Sequence, residues 1–208
     1  MRTLSFRRQT RHRNAGFSLI EVLVAIVVLS FGILGMVGLQ AASLQANRDA
    51  RLQSTAILLA RDLAEAMRGN KLVAVTTNTY LGDFQSVGTA PLTPTVASYC
   101  MTVGQTCAGG TPLVAATAMA NAQMTEWLAR VSAELPGARV RICKDTAPYG
   151  GDGLPQWACT SASATDITVI KIGWTRASFQ RGATTAATAF DRADRPSIML
   201  PVTPGSTL

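Results

Sequence analysis

Glu21 is the residue of this chain whose chemistry most needs explaining. It stands at the head of 18 consecutive uncharged residues, Val22 to Leu39, and the next cationic side chain downstream is Arg48, 27 positions away. A carboxylate inside a membrane-length apolar run costs about 2.5–3.5 kcal/mol on insertion scales, and such residues are usually functional. Glu21 therefore requires a cationic partner that nearby downstream sequence does not supply. The other reactive groups are four thiols, Cys100, Cys107, Cys143 and Cys159. Histidine, the commonest general base and metal ligand, occurs once, at His12 within a basic N-terminal stretch. The chain has no G-x-S-x-G nucleophile motif and no paired carboxylates flanked by aromatics, and Asp191 and Asp194 read as a solvated charged segment. An enzyme is not expected, and neither is a cofactor.

The residues before Glu21 fix its setting. Arg2, Arg7, Arg8, Arg11 and Arg13 precede the apolar run without any acid among them. Basic residues flanking a first span hold that end in the cytoplasm, which places the chain beyond about residue 40 on the other side. Without the five leader arginines, 14 basic residues face 12 acidic ones, so the formal charge of +7 falls to +2. The basic character is mostly a leader property, and no direct nucleic-acid partner is expected.

Gly16-Phe17-Ser18-Leu19-Ile20-Glu21-Val22-Leu23-Val24-Ala25 resembles the class III signal of type IV pilins and type II secretion pseudopilins. The resemblance implies that a prepilin peptidase cuts between Gly16 and Phe17 and methylates the new N-terminal phenylalanine. It also makes Glu21 the fifth residue of the mature chain and an assembly residue. An ordinary secretory signal has an apolar region of about 7–15 residues followed by its cleavage site. Here the apolar run is longer and the cut lies before it, so the hydrophobic segment is retained. The domain boundaries that follow are a leader at 1–16, a transmembrane and assembly helix at 17–39, the amphipathic half of the same helix at 40–69, and a globular head at 70–208.

At 1.5 Å per residue, residues 17–39 span about 35 Å, enough for an apolar core of about 30 Å. Gly32, Gly35 and Gly38 interrupt the run; small residues permit close helix approach and weaken the helix by about 1 kcal/mol each. From Ala41 to Arg68 there is neither proline nor glycine, and Leu52, Ala56, Leu59, Leu63 and Met67 recur at helical spacing. Arg61 and Glu65 sit four apart, and Gly69-Asn70 marks the stop. Residues 71–114, rich in Thr, Gly, Ala and Pro, read as a long connection with at most a short strand. Thr111-Pro112 then predicts a capped second helix carrying Met124, Trp127, Leu128, Val131 and Leu135 and ended by Pro136-Gly137.

The remainder predicts short strands at 138–143, 167–174 and 197–202. The last is confined to a sheet edge by Pro196 and Pro201. Trp157 to Cys159 is expected to pair with 138–143 across a turn at Gly150-Gly151-Asp152-Gly153. That turn is not a calcium loop, because one aspartate among glycines lacks the alternating acidic ligands of such sites. Four cysteines allow three pairings. Proximity and the strand pattern favour Cys100–Cys107 and Cys143–Cys159, in a compartment where disulfides persist. Their spacing contains no C-x-x-C pair, so no metal site is expected. The fold class is α+β: a long N-terminal helix on a small head with a mainly antiparallel sheet of about four strands.

Trp127-Leu128-Ala129-Arg130, Leu135-Pro136-Gly137-Ala138 and the late Val169-Ile170-Lys171-Ile172-Gly173-Trp174 strand resemble PilV-type minor pilins of type IV pili. This resemblance implies a minor pilin that primes or modulates pilus assembly near the filament tip, serving adhesion, twitching motility or DNA uptake. Its implied partners are other minor pilins, the major pilin, the prepilin peptidase and a tip adhesin. The implied location is the inner membrane, with the head periplasmic, and then the pilus. The same N-terminus fits a minor pseudopilin of a type II secretion system as the alternative.

Overall fold

The computed structural model describes residues 18–75, 78–86, 90–107, 109–161, 163, 166–177, 190–191 and 194–203. The processing residues Gly16 and Phe17, like the rest of the leader, lie outside them. Helix α1 runs Leu19–Gly69, a single element of 51 residues. The chain divides into two compact units, one ending at Asn47 and the other beginning at Arg48.

In the first unit every residue from Ser18 to Leu44 is exposed. This is what an all-round apolar helix looks like before something apolar surrounds it. Its first turn is closed by the Ser18 carbonyl, which accepts from the Glu21 and Val22 amides at 3.0 and 3.3 Å. Helix α1 continues through Gly32, Gly35 and Gly38, and nothing lies within 4 Å of where a Cβ would stand at any of them. Among the described residues, α1 is the one helix long and apolar enough to cross a membrane.

The second unit is a head built on the amphipathic part of α1. Ala56, Leu59, Ala60, Leu63, Ala64 and Met67 are buried, the 3–4 spacing that puts them on one stripe. A short helix α2, Lys71–Val75, follows. Strand β1 is Gly82–Gln85, and helix α3 is Pro112–Glu134, with its N-terminus capped by the Thr111 hydroxyl, which accepts from the Val114 amide at 3.4 Å. Ala120, Met124, Trp127, Leu128 and Val131 face the core, and the Trp127 indole N–H donates to the Leu59 carbonyl of α1 at 2.8 Å. The turn after α3 needs Gly137: its φ is +57°, and a Cβ there would meet Thr175 Oγ1 at 2.2 Å.

Strands β2 (Arg139–Lys144), β3 (Thr168–Gly173) and β6 (Ile198–Val202) join β1 in a four-stranded antiparallel sheet of order β1-β2-β3-β6. A two-residue pair, β4 (Arg176–Ala177) with β5 (Phe190–Asp191), stands apart from it. Strand β6 is an edge, as its Pro201 requires. The sheet lays Val140, Ile142, Ile170 and Ile172 into one core with the α1 and α3 stripes, Tyr80, Phe84 and Trp174.

Trp157 to Cys159 does not form the strand expected of it. Both edges of β2 are already filled, by β1 and β3, so no ladder position is open to this segment. It lies instead over the sheet, held by an isolated bridge between Tyr149 and Pro155 and by the Thr146 amide donating to the Thr160 carbonyl at 2.7 Å. The strand that takes the place beside β2 is β1, from within the long connection. The Gly150–Gly153 stretch is a turn: the Gly153 amide donates to the Gly150 carbonyl at 2.9 Å, and Asp152 accepts from Leu154 and pairs with Arg195 at 3.0 Å.

Candidate assembly surface and the tied-down head

Glu21 lies in the first turn of α1, beside a shallow hollow lined by Val22, Ala25, Ile26 and Leu29. Among the described residues it has no cationic partner. A helix with a solvent-facing apolar circumference and one unpaired acid near its start is incomplete by itself. Its surface is suited to lipid or to other helices of the same kind.

The head carries two disulfides, Cys100–Cys107 and Cys143–Cys159, and no described cysteine is left free. The first closes a loop beside α3. The strand-free segment leading to it is fixed from the helix side: Ser132 Oγ accepts from the Leu92 amide at 2.8 Å, and Thr125 Oγ1 from the Ser98 amide at 2.9 Å. The second ties the end of β2 to the segment that covers the sheet.

That cover is anchored by a group the sequence reading passed over. Lys171 lies mid-way along β3 and is fully buried, and its Nζ sits 2.5 Å from Asp145 Oδ2. The same ammonium donates to the carbonyls of Gln156 and Ala158 at 2.8 and 2.7 Å, using all three of its protons. Asp145 Oδ1 in turn accepts from the amides of Ala147 and Thr160 at 2.9 and 3.0 Å. Burial alone raises the Asp145 pKa, but the Lys171 bond, the two amides and the lysine charge outweigh it and hold the carboxyl below its ordinary value. Strand β3 is consequently buried on both faces, by the core on one side and by the 145–160 cover on the other. Trp157, also in the cover, stacks on Arg139, whose guanidinium lies 4.5 Å from the ring centre. Arg139 pairs with Asp83 across β1 and β2 at 2.9 Å. Burial pushes the Asp83 pKa up, and the bonds and charges of Arg139 and Arg141 bring it below normal.

A lone lysine in the most apolar strand, and an aspartate two residues past a cysteine, were the available signals for this pair. The alternation pattern sets Lys171 on the same strand face as Val169, opposite Ile170 and Ile172. Cys143, Asp145 and Cys159 also bring three ligand-type atoms within 4.8 Å of one another. The two sulfurs are bonded to each other and the carboxylate holds Lys171, so this cluster offers no open ligand set.

An acid with no ion-pair partner among the described residues, at the start of an exposed apolar helix in a chain that also carries a small sheet-bearing head, points to a subunit built to pack by its helix into an assembly. Two family models match adjoining stretches of the chain. The prokaryotic N-terminal methylation motif covers residues 11–37, and the type IV pilin Tt1218 family covers residues 38–125. No curated protein and no solved structure gives a match. The chain belongs to the type IV pilins. Members of that family are structural subunits rather than enzymes. The methylation motif brings the prepilin peptidase and other pilins into its set of partners and associates the chain with a membrane and a pilus.

Proposed function

We propose that this pilin is a minor subunit that primes or modulates type IV pilus assembly close to the filament tip. In this reading residues 1–16 are a leader removed by the prepilin peptidase. Residues 17–39 hold the subunit in the inner membrane with its head in the periplasm until it is extracted into the filament. The observation that carries the reading is Glu21, an acid without an ion-pair partner among the described residues, on a helix whose residues from Ser18 to Leu44 are all exposed. In this family the subunit at the extreme tip can lack the glutamate, having no subunit above to meet. A chain that keeps it sits below the tip, docked through its helix to at least two other minor pilins. The helix-end turn at Gly137 and the late strand β3, followed directly by Trp174, support the PilV-type assignment, and a tip adhesin is the expected cargo of such a complex.

Deleting the gene tests this reading. Surface pili should fall at least about tenfold, and the protein should be recovered from sheared pili at far below the abundance of the major pilin. Unchanged pilus numbers with an accompanying defect in protein secretion would assign the chain to a type II secretion pseudopilus instead.

A further inference from the structure

The outward side of α1 within the head is not an ordinary solvated face. Arg51, Ser54, Leu58 and Arg61 fall at spacings of three and four, which aligns them in one stripe, and Leu58 is 62% exposed at its centre. The small Ser54 one turn earlier leaves room beside that leucine for a second helix to approach. The charges on this side are unequally satisfied. Asp62 is held by Arg130 at 2.6 Å, and Glu65 is held by Arg68 at 2.5 Å rather than by Arg61. Asp49, the remaining carboxylate between Arg48 and Gly69, is half-buried. Arg48, Arg51 and Arg61 are exposed and make no ion pair among the described residues.

We propose that this stripe docks an acidic helix of a different pilin and disfavours a second copy of this chain. The inference rests on the minor-pilin reading and specifies the chemistry of the neighbour. A second copy would bring the same three unpaired arginines, while its two exposed carboxylates on this side are already engaged. Like charges set against one another select against that pairing, and opposite charges around an apolar contact set the partner and speed the encounter. The complementary neighbour presents a small or apolar residue opposite Leu58, with unpaired Asp or Glu about three turns apart facing Arg51 and Arg61.

The test uses the full chain in cells that make the other pilins, with a photo-reactive phenylalanine analogue in place of Leu58. Illumination should give an adduct to a different pilin, with the labelled peptide lying in a helix whose carboxylates outnumber its lysines and arginines. Arg51→Glu with Arg61→Glu should lower the yield at least about tenfold while leaving membrane insertion and head unfolding unchanged. Arg51→Gln with Arg61→Gln should lower it less, and lysines placed at the partner's acidic positions should reproduce the loss. An adduct to a second copy, no adduct, or a yield indifferent to charge reversal overturns the proposal. An adduct to an acidic secretion pseudopilin would keep the charge rule and overturn the pilus assignment, so the two claims fail separately.

Discussion

Replacing Lys171 by alanine is expected to destabilise the head by about 3–5 kcal/mol, the usual consequence of leaving one partner of a buried ion pair uncompensated. Three protons of the ammonium are used, on Asp145, Gln156 and Ala158, so the variant strands a carboxylate and two carbonyls beneath the 145–160 cover. Denaturant unfolding of the detergent-solubilised chain, followed through its tryptophans, measures the loss. A change below about 1 kcal/mol would mean that the pair is solvated and that the cover is held by Cys143–Cys159 and Trp157 alone. Methionine at position 171 combined with Asp145→Asn should recover part of the loss, since the charge is then removed from both sides.

The pH dependence has a definite sign. The folded-state pKa of Asp145 lies below its unfolded value, so its contribution is present above the ordinary carboxylate pKa of about 3.9. It is lost as the pH falls through the lower folded value, and Asp83 acts in the same sense. The acid limb of the stability curve should therefore lie below about pH 4. Lys171→Ala, which removes the charge and one bond that depress the Asp145 pKa, should move that limb to higher pH.

Glu21→Ala is expected to leave leader removal largely intact while sharply reducing incorporation and surface piliation. On the proposed cleavage the α-amine of Phe17 becomes a cation four residues before Glu21, and the terminal amine of a helix points back along its axis, away from its own first turn. A neighbour shifted along the filament can set its own terminal amine against this carboxylate. At about 4 Å and an effective dielectric near 20 such a pair attracts by roughly 4 kcal/mol, comparable with the cost of burying the acid. On the proposed role of Glu21, this pairing offsets burial and fixes axial register. Immunoblotting of sheared pili and pilus counts by electron microscopy read the effect. Normal pilus numbers with the variant still present in the filament would refute this role for the carboxylate.

The helices were legible because their signals are local. Thr111-Pro112 opens α3 as a cap and first-turn proline should, and the Ala56 to Met67 stripe is buried at the predicted spacing. Strands β2, β3 and β6 fall within a residue of their predicted limits for the same reason, since alternation and proline placement are read along the chain. What escaped was non-local. Which segment fills the free edge of β2 depends on competition between β1 and the Trp157 segment, and nothing in either short stretch decides it. The burial of Lys171 depends on a cover whose bonding groups arrive from 13 to 26 residues away. The Arg61–Glu65 spacing predicted a helical pair, and Arg68 takes the glutamate instead. At the assembly end, Glu21 stood out in the sequence because its cost is intrinsic to the residue and its surroundings.

The most direct test of the account is the intact mass of this protein recovered from sheared pili. The account predicts a 192-residue chain beginning at Phe17, heavier by one CH2 unit for the N-methylation and lighter by four hydrogens for the two disulfides. An intact Met1, or an N-terminus near residue 40 with the apolar helix removed, would contradict it.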